Sequence, residues 1–108
     1  MDVKFVYMLL CDINEFDNAV VKIGRTNDFD RIRKKYNEKF KTVAVIPVSN
    51  DKFVEKMLLF EFRFKFFSRR DIGREYFEGN FNDMLLYFND IVIKLSTEDS
   101  DSEYELDN

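Results

Sequence analysis

Between Val3 and Cys11 the chain carries an apolar run broken only by Lys4. In an extended strand it places Val3, Phe5, Tyr7 and Leu9 on one face and Val6, Met8 and Leu10 on the other. A strand apolar on both faces has to be covered on both, so other elements must lie above and below it. The run is too short to span a bilayer, which takes about 18 residues or more. After it, Asp12 to Asn18 is polar, with Asn and Asp in turn positions, and Ala19 to Ile23 resumes a β-branched run. This predicts a hairpin with a long connection whose second strand ends at Gly24.

From Asp28 to Phe40, the spacing of Phe29, Ile32, Tyr36 and Phe40 predicts an amphipathic helix capped by Asn27 or Asp28, with strongly basic outer faces. A third strand follows over Thr42 to Val48, stopped by Pro47, and Ser49-Asn50-Asp51 is suited to cap the next helix. That helix, Asp51 to Phe67, carries two apolar stripes, Phe53/Met57/Phe60/Phe64/Phe67 and, roughly opposite, Leu59/Phe62/Phe66, and reads as a central helix covered on two sides. Ser68 to Gly79 reads as a connection rich in arginine. Asn80 to Leu95 predicts a last helix with Phe81, Met84, Leu85, Phe88 and Ile91 or Val92 inward. The order of elements is α+β, a small three-stranded antiparallel sheet flanked by helices, in one domain over residues 1–96. Residues 97–108 are expected to form a disordered acidic tail.

At 108 residues, 45% hydrophobic, the chain suffices for one core, and thirteen Phe with no Trp predict a core of aromatic layers. The formal charge of −4 is a misleading average. Glu98, Asp99, Asp101, Glu103, Glu105 and Asp107 lie in the tail. Without those six, residues 1–96 hold 17 basic and 15 acidic side chains, so the folded part is mildly basic and admits a polyanionic partner. There is no histidine and one cysteine, Cys11, which excludes an intrachain disulfide, a structural zinc site and histidine-based triads. Carboxylate, Lys, Tyr or metal-bound water remain as general bases. With no membrane span and no secretory leader pattern, a soluble intracellular setting is expected, in host cytoplasm or nucleus if the source is viral. The richness in Phe, Lys, Asn, Asp and Ile suits an AT-rich genome such as that of a large DNA virus or phage.

Val6-Tyr7-Met8-Leu9, then Val21-Lys22-Ile23-Gly24-Arg25-Thr26, an arginine-rich helix and Glu55 in a later helix resemble the GIY-YIG endonuclease superfamily. The nearest likeness is to its short viral and phage domains with a Lys-Ile-Gly second motif. Arg74-Glu75-Tyr76-Phe77 is similar to a closing signature of that branch, so the likeness runs from about Val3 to Gly79. It implies that Tyr7 belongs to the first motif, that Lys22 takes the place of the second tyrosine, and that Glu55 holds one divalent ion, magnesium or manganese, beside the scissile phosphate. It also implies an arginine on the first helix. Counting from Gly24 puts Ile32 in that slot and Tyr36 on the family's aromatic or histidine position, with Arg31 and Arg33 flanking. Arg33 borders the Phe29/Ile32/Tyr36 face, whereas a one-residue slip favours Arg31.

Glu55 shares a helical line with Leu59, Phe62 and Phe66 and so borders a partly dehydrated site. Glu61 competes for the role, but Lys65 at i+4 offers it an ordinary ion pair. Arg25, Arg31, Arg33, Lys34, Lys35, Lys39 and Lys41 suit phosphate contacts or a solvated helix face, and Arg69, Arg70 and Arg74 form a second basic patch. The leading expectation is a metal-dependent endonuclease on double-stranded or branched DNA. Glu55 binds the ion, Arg33 or Arg31 stabilises the transition state, and Tyr7 with Lys22 positions or deprotonates water, Lys22 doing so only with a lowered pKa. The alternatives are a catalytically inactive nucleic-acid-binding module and a viral or phage protein-interaction domain using its aromatic surface and acidic tail.

Overall fold

The computed structural model describes residues 3–36 and 39–107, with side chains described as far as 96. β1 (Lys4–Ile13) and β2 (Asn18–Thr26) form the predicted hairpin, with Tyr7 opposite Gly24 and Leu9 opposite Lys22. Its turn is built by Asn14, whose Oδ1 accepts the amides of Phe16 and Asn18, while Asp17 takes φ 62°. Short polar side chains tolerate that left-handed conformation. Gly24 does not end β2, which runs on to Thr26.

α1 (Phe29–Tyr36) is shorter than its apolar spacing predicts; Asp28 caps it through Oδ1 to the Arg31 amide, and Phe40 stacks on Tyr36 beyond its end. β3 (Lys41–Val48) pairs with the outer side of β1. Pro47 sits inside β3 opposite Phe5 rather than stopping it, because β3 is an edge strand where a missing amide donor is tolerated. α2 (Asp51–Lys65) is capped by Asn50, whose side chain accepts from the Phe53 amide.

β4 (Phe67–Ser68) and β5 (Tyr76–Asn80) lie where the sequence predicts a connection. The sheet therefore has five antiparallel strands in the order β3-β1-β2-β5-β4, not three. Two and five residues are too short to show a period, and β5 is held by its pairing along β2. α3 (Phe81–Asp107) is capped by Asn80. Its backbone carries the acidic segment, expected to be disordered, as helix to Asp107, and among the residues whose side chains are described Leu95 is the last that packs against the core.

One face of the sheet presents Val6, Met8, Ala19, Val21, Ile23 and Phe77 to Val54, Leu58 and Phe62 of α2 and to Met84, Phe88 and Val92 of α3. The other presents Tyr7, Leu9 and Lys22 toward α1, where the Tyr7 and Phe29 rings meet edge-on at 6.0 Å. Of the thirteen Phe only Phe62, Phe77 and Phe88 are fully buried; Phe16, Phe53, Phe60, Phe64 and Phe67 are exposed. α2 is thus covered on one side, not two, through Val54, Leu58 and Phe62 at i, i+4 and i+8. Among the described residues no helix is long and apolar enough to cross a membrane.

Candidate active site

Lys22 is the organising group. Its register on β2 places it beside Leu9 and Tyr76, and Tyr7 lies one pair further along the same face. Its ammonium stands 5.5, 5.8 and 5.9 Å from the ring centroids of Tyr7, Tyr36 and Tyr76 and 3.5 Å from Glu75 Oε1. Three aromatic faces and one carboxylate hold a buried cation well. Burial acts to lower the Lys22 pKa, but the net direction is upward, and with the phenols protonated the charge that holds the ammonium is the Glu75 carboxylate. This corrects the expectation that desolvation frees Lys22 to act as a base; it stays an ammonium and a donor. Burial also raises Tyr7, against Lys22, so the phenol stays protonated.

Gly24 is required by this arrangement. A Cβ there would stand 2.5 Å from Tyr7 Cζ, and closer still to the hydroxyl. Gly24→Ala is expected to cost about 1–3 kcal/mol by overpacking, read as a lower urea midpoint, with Tyr7 pushed off Lys22.

Glu55 comes from α2, on the opposite layer, and meets Glu75 just before β5 begins. Burial, the hydrogen bond to Glu75 and the repulsion of that second carboxylate push Glu55 up to about 7, with Arg25 and Lys22 opposing. Glu55 therefore holds its proton more firmly than a free carboxyl does. Glu55 has a raised folded-state pKa, so the folded chain holds the proton more firmly than the unfolded one, and stability falls as pH rises from 4.5 to about 7. Thermal melts without divalent ions should fall across that window in wild type, and Glu55→Gln should flatten the decline.

Arg25 reaches the site as well, its Nε 3.4 Å from Glu55 Oε1 and its Nη1 3.1 Å from the buried Asp51 Oδ2, with Lys4 4.0 Å from the same carboxylate. Its remaining donors are left for a ligand. Arg33 pairs with Asp30 and lines a cavity with Ile32, Tyr36 and Phe40; Arg31 lines another with Arg25 and Asp51. Neither has an ion pair with Glu55 among the described residues. Lys34 and Lys35 are exposed on α1, and Arg70 and Arg74 are exposed between β4 and β5. Arg69 is spent on Asp71 and Glu78, which withdraws it from the second basic patch. Glu61 accepts from the Tyr87 hydroxyl at 2.7 Å, and Lys65 lies over the Tyr87 ring rather than on Glu61.

The structure thus brings Tyr7, Lys22 and Glu55 together with Tyr36, Glu75 and Tyr76, and sets Arg25, rather than Arg31 or Arg33, against Glu55. Sequence reasoning gave Glu75 no role; its position in Arg74-Glu75-Tyr76-Phe77 was the available signal. Among the described residues no three Asp, Glu or Cys side chains cluster as metal ligands. Glu55 and Glu75 nevertheless suit a hard divalent ion that takes one or two carboxylates and completes its shell with water and phosphate oxygens, since such an ion displaces the proton from Glu55 and offsets the repulsion between the two. The T5orf172 domain family matches residues 4–92, spanning β1 through the packed part of α3. No curated protein and no solved structure gives a significant match.

Proposed function

Because the chain belongs to the T5orf172 domain family, we propose that it is a phage-type nuclease of the GIY-YIG kind, hydrolysing DNA phosphodiesters with magnesium or manganese. Family membership supports a nuclease-like or nucleic-acid-binding module. The observation that carries the finer reading is the meeting of Tyr7, Lys22, Arg25, Glu55 and Glu75, drawn from β1, β2, α2 and the approach to β5.

In this reading Glu55, with Glu75, holds the ion, which when bound polarises a phosphoryl oxygen and stabilises the leaving group. Lys22 and Arg25 carry fixed positive charge toward the phosphate, and the low-dielectric surroundings of Lys22 strengthen its contribution. Tyr7 orients through its hydroxyl oxygen, toward which the Lys22 ammonium donates. The exposed Lys34, Lys35, Arg70 and Arg74 supply salt-dependent backbone contacts.

Supercoiled and branched DNA incubated with the chain should be nicked with magnesium or manganese and left intact with a chelator. Nicking unaffected by the chelator overturns the metal assignment. The second reading, a binding module without chemistry, is favoured by Ile32 in the arginine slot and by Arg31 and Arg33 lying off Glu55. It predicts salt-dependent DNA binding that survives Glu55→Ala, with no nicking in either protein.

A further inference from the structure

We propose that the outer face of α2 is a docking strip for a single strand of DNA, separate from the Tyr7/Lys22/Glu55 site. Phe53, Phe60 and Phe64 are 48%, 52% and 82% exposed, a cost that a folded surface does not normally bear in three aromatic rings on one helix. At about 100° per residue they form one row, and Lys52, Lys56 and Arg63 form a second row directly beside it. All three cations are exposed, and none has an ion pair among the described residues.

The carboxylates of α2 are all engaged elsewhere. Asp51 is buried against Arg25, Glu55 meets Glu75 and Arg25, and Glu61 is bonded to Tyr87. The face is therefore apolar and aromatic along one line and purely cationic along the next. That is the complement of an unpaired strand, which offers stacked bases on one side and a row of phosphates on the other. A duplex hides its bases and has no use for the rings, whereas a protein partner would have to bring its own acidic row to match. Phe60 and Phe64 already touch, centroids 5.5 Å apart, and so form a platform that is ready before any base arrives. The exposed residues of the two rows include no hydroxyl, amide or carboxylate to read a 2′-hydroxyl, so nothing here favours RNA.

Fluorescence anisotropy of a labelled oligothymidylate with the full chain, in chelator so that nothing is cut, tests this. Phe60→Leu/Phe64→Leu, which keeps apolar bulk but removes the rings, is expected to weaken binding at least tenfold, within the range for losing one to two stacked bases. Lys56→Gln/Arg63→Gln should reduce the salt slope by about 1.4, from two lost phosphate contacts on a single strand. Both pairs are surface changes, and circular dichroism melts should match wild type. The proposal is overturned if the Phe pair binds as well as wild type, or if oligouridylate binds clearly more tightly than oligothymidylate. It is also overturned if wild type sediments as a dimer that the Phe pair abolishes, since the face is then a contact between copies. None of these outcomes depends on whether the chain cleaves DNA.

Discussion

Glu55→Gln is expected to lower metal-dependent nicking by about 10²- to 10³-fold, the scale of losing one preorganised electrostatic partner at a reacting phosphate. Glutamine keeps the shape and can still bond Glu75 and Arg25, so the fold has no reason to suffer. What it removes is the negative charge that balances a divalent ion against Arg25 and Lys22. Because the ion competes with the proton on Glu55, wild-type ion affinity should climb as pH passes about 7, and the variant should lose that dependence. Calorimetric titration with manganese at pH 6 and pH 8 reads the two together with the nicking rate. Equal cleavage by variant and wild type would sink the assignment of Glu55.

Phe62→Ala should cost about 3–5 kcal/mol, a large share of the 5–15 kcal/mol that holds a typical domain. Phe62 is fully buried, and its ring lies 5.0, 5.4 and 5.8 Å from those of Phe66, Phe77 and Tyr87. Those partners come from the α2 C-cap, β5 and α3, so the cavity would open where three elements meet and no single one can collapse into it. Phe64→Ala, two residues away and largely exposed, should stay within about 0.5 kcal/mol of wild type. Urea unfolding of the pair checks both values, and similar midpoints would show that α2 packs by its other face.

That comparison also shows what the chain's letters disclose. Periodicity finds α2 but not which stripe faces inward, because both of its stripes are phenylalanine-rich and only the sheet chooses between them. β1 and β2 were readable because a short apolar run and a β-branched run bounded by turn residues are local signals. β5 was not, since Tyr76-Phe77-Glu78 becomes a strand only by lying against Val20 to Lys22. Tyr7, Lys22 and Glu55 were legible from ordered motifs and from the line that Glu55 shares with Leu59 and Phe62. The contact of Arg25 with Glu55, the approach of Glu75 to Lys22 and the bridging of Asp71 and Glu78 by Arg69 were not, because each depends on a partner distant in sequence or on the turn that brings it there.

The pairing of Lys22 with Glu75 spans 53 residues. A chain emerging from the ribosome holds Tyr7, Lys22 and Glu55 before it holds Glu75 and the strand that follows it, and contacts of such long range form late. An unfinished polypeptide therefore lacks the second carboxyl and the third tyrosine face, and its lysine has no counterion. The candidate site therefore assembles as a unit, only once Glu75 and Tyr76 have joined the chain that already carries Tyr7, Lys22 and Glu55.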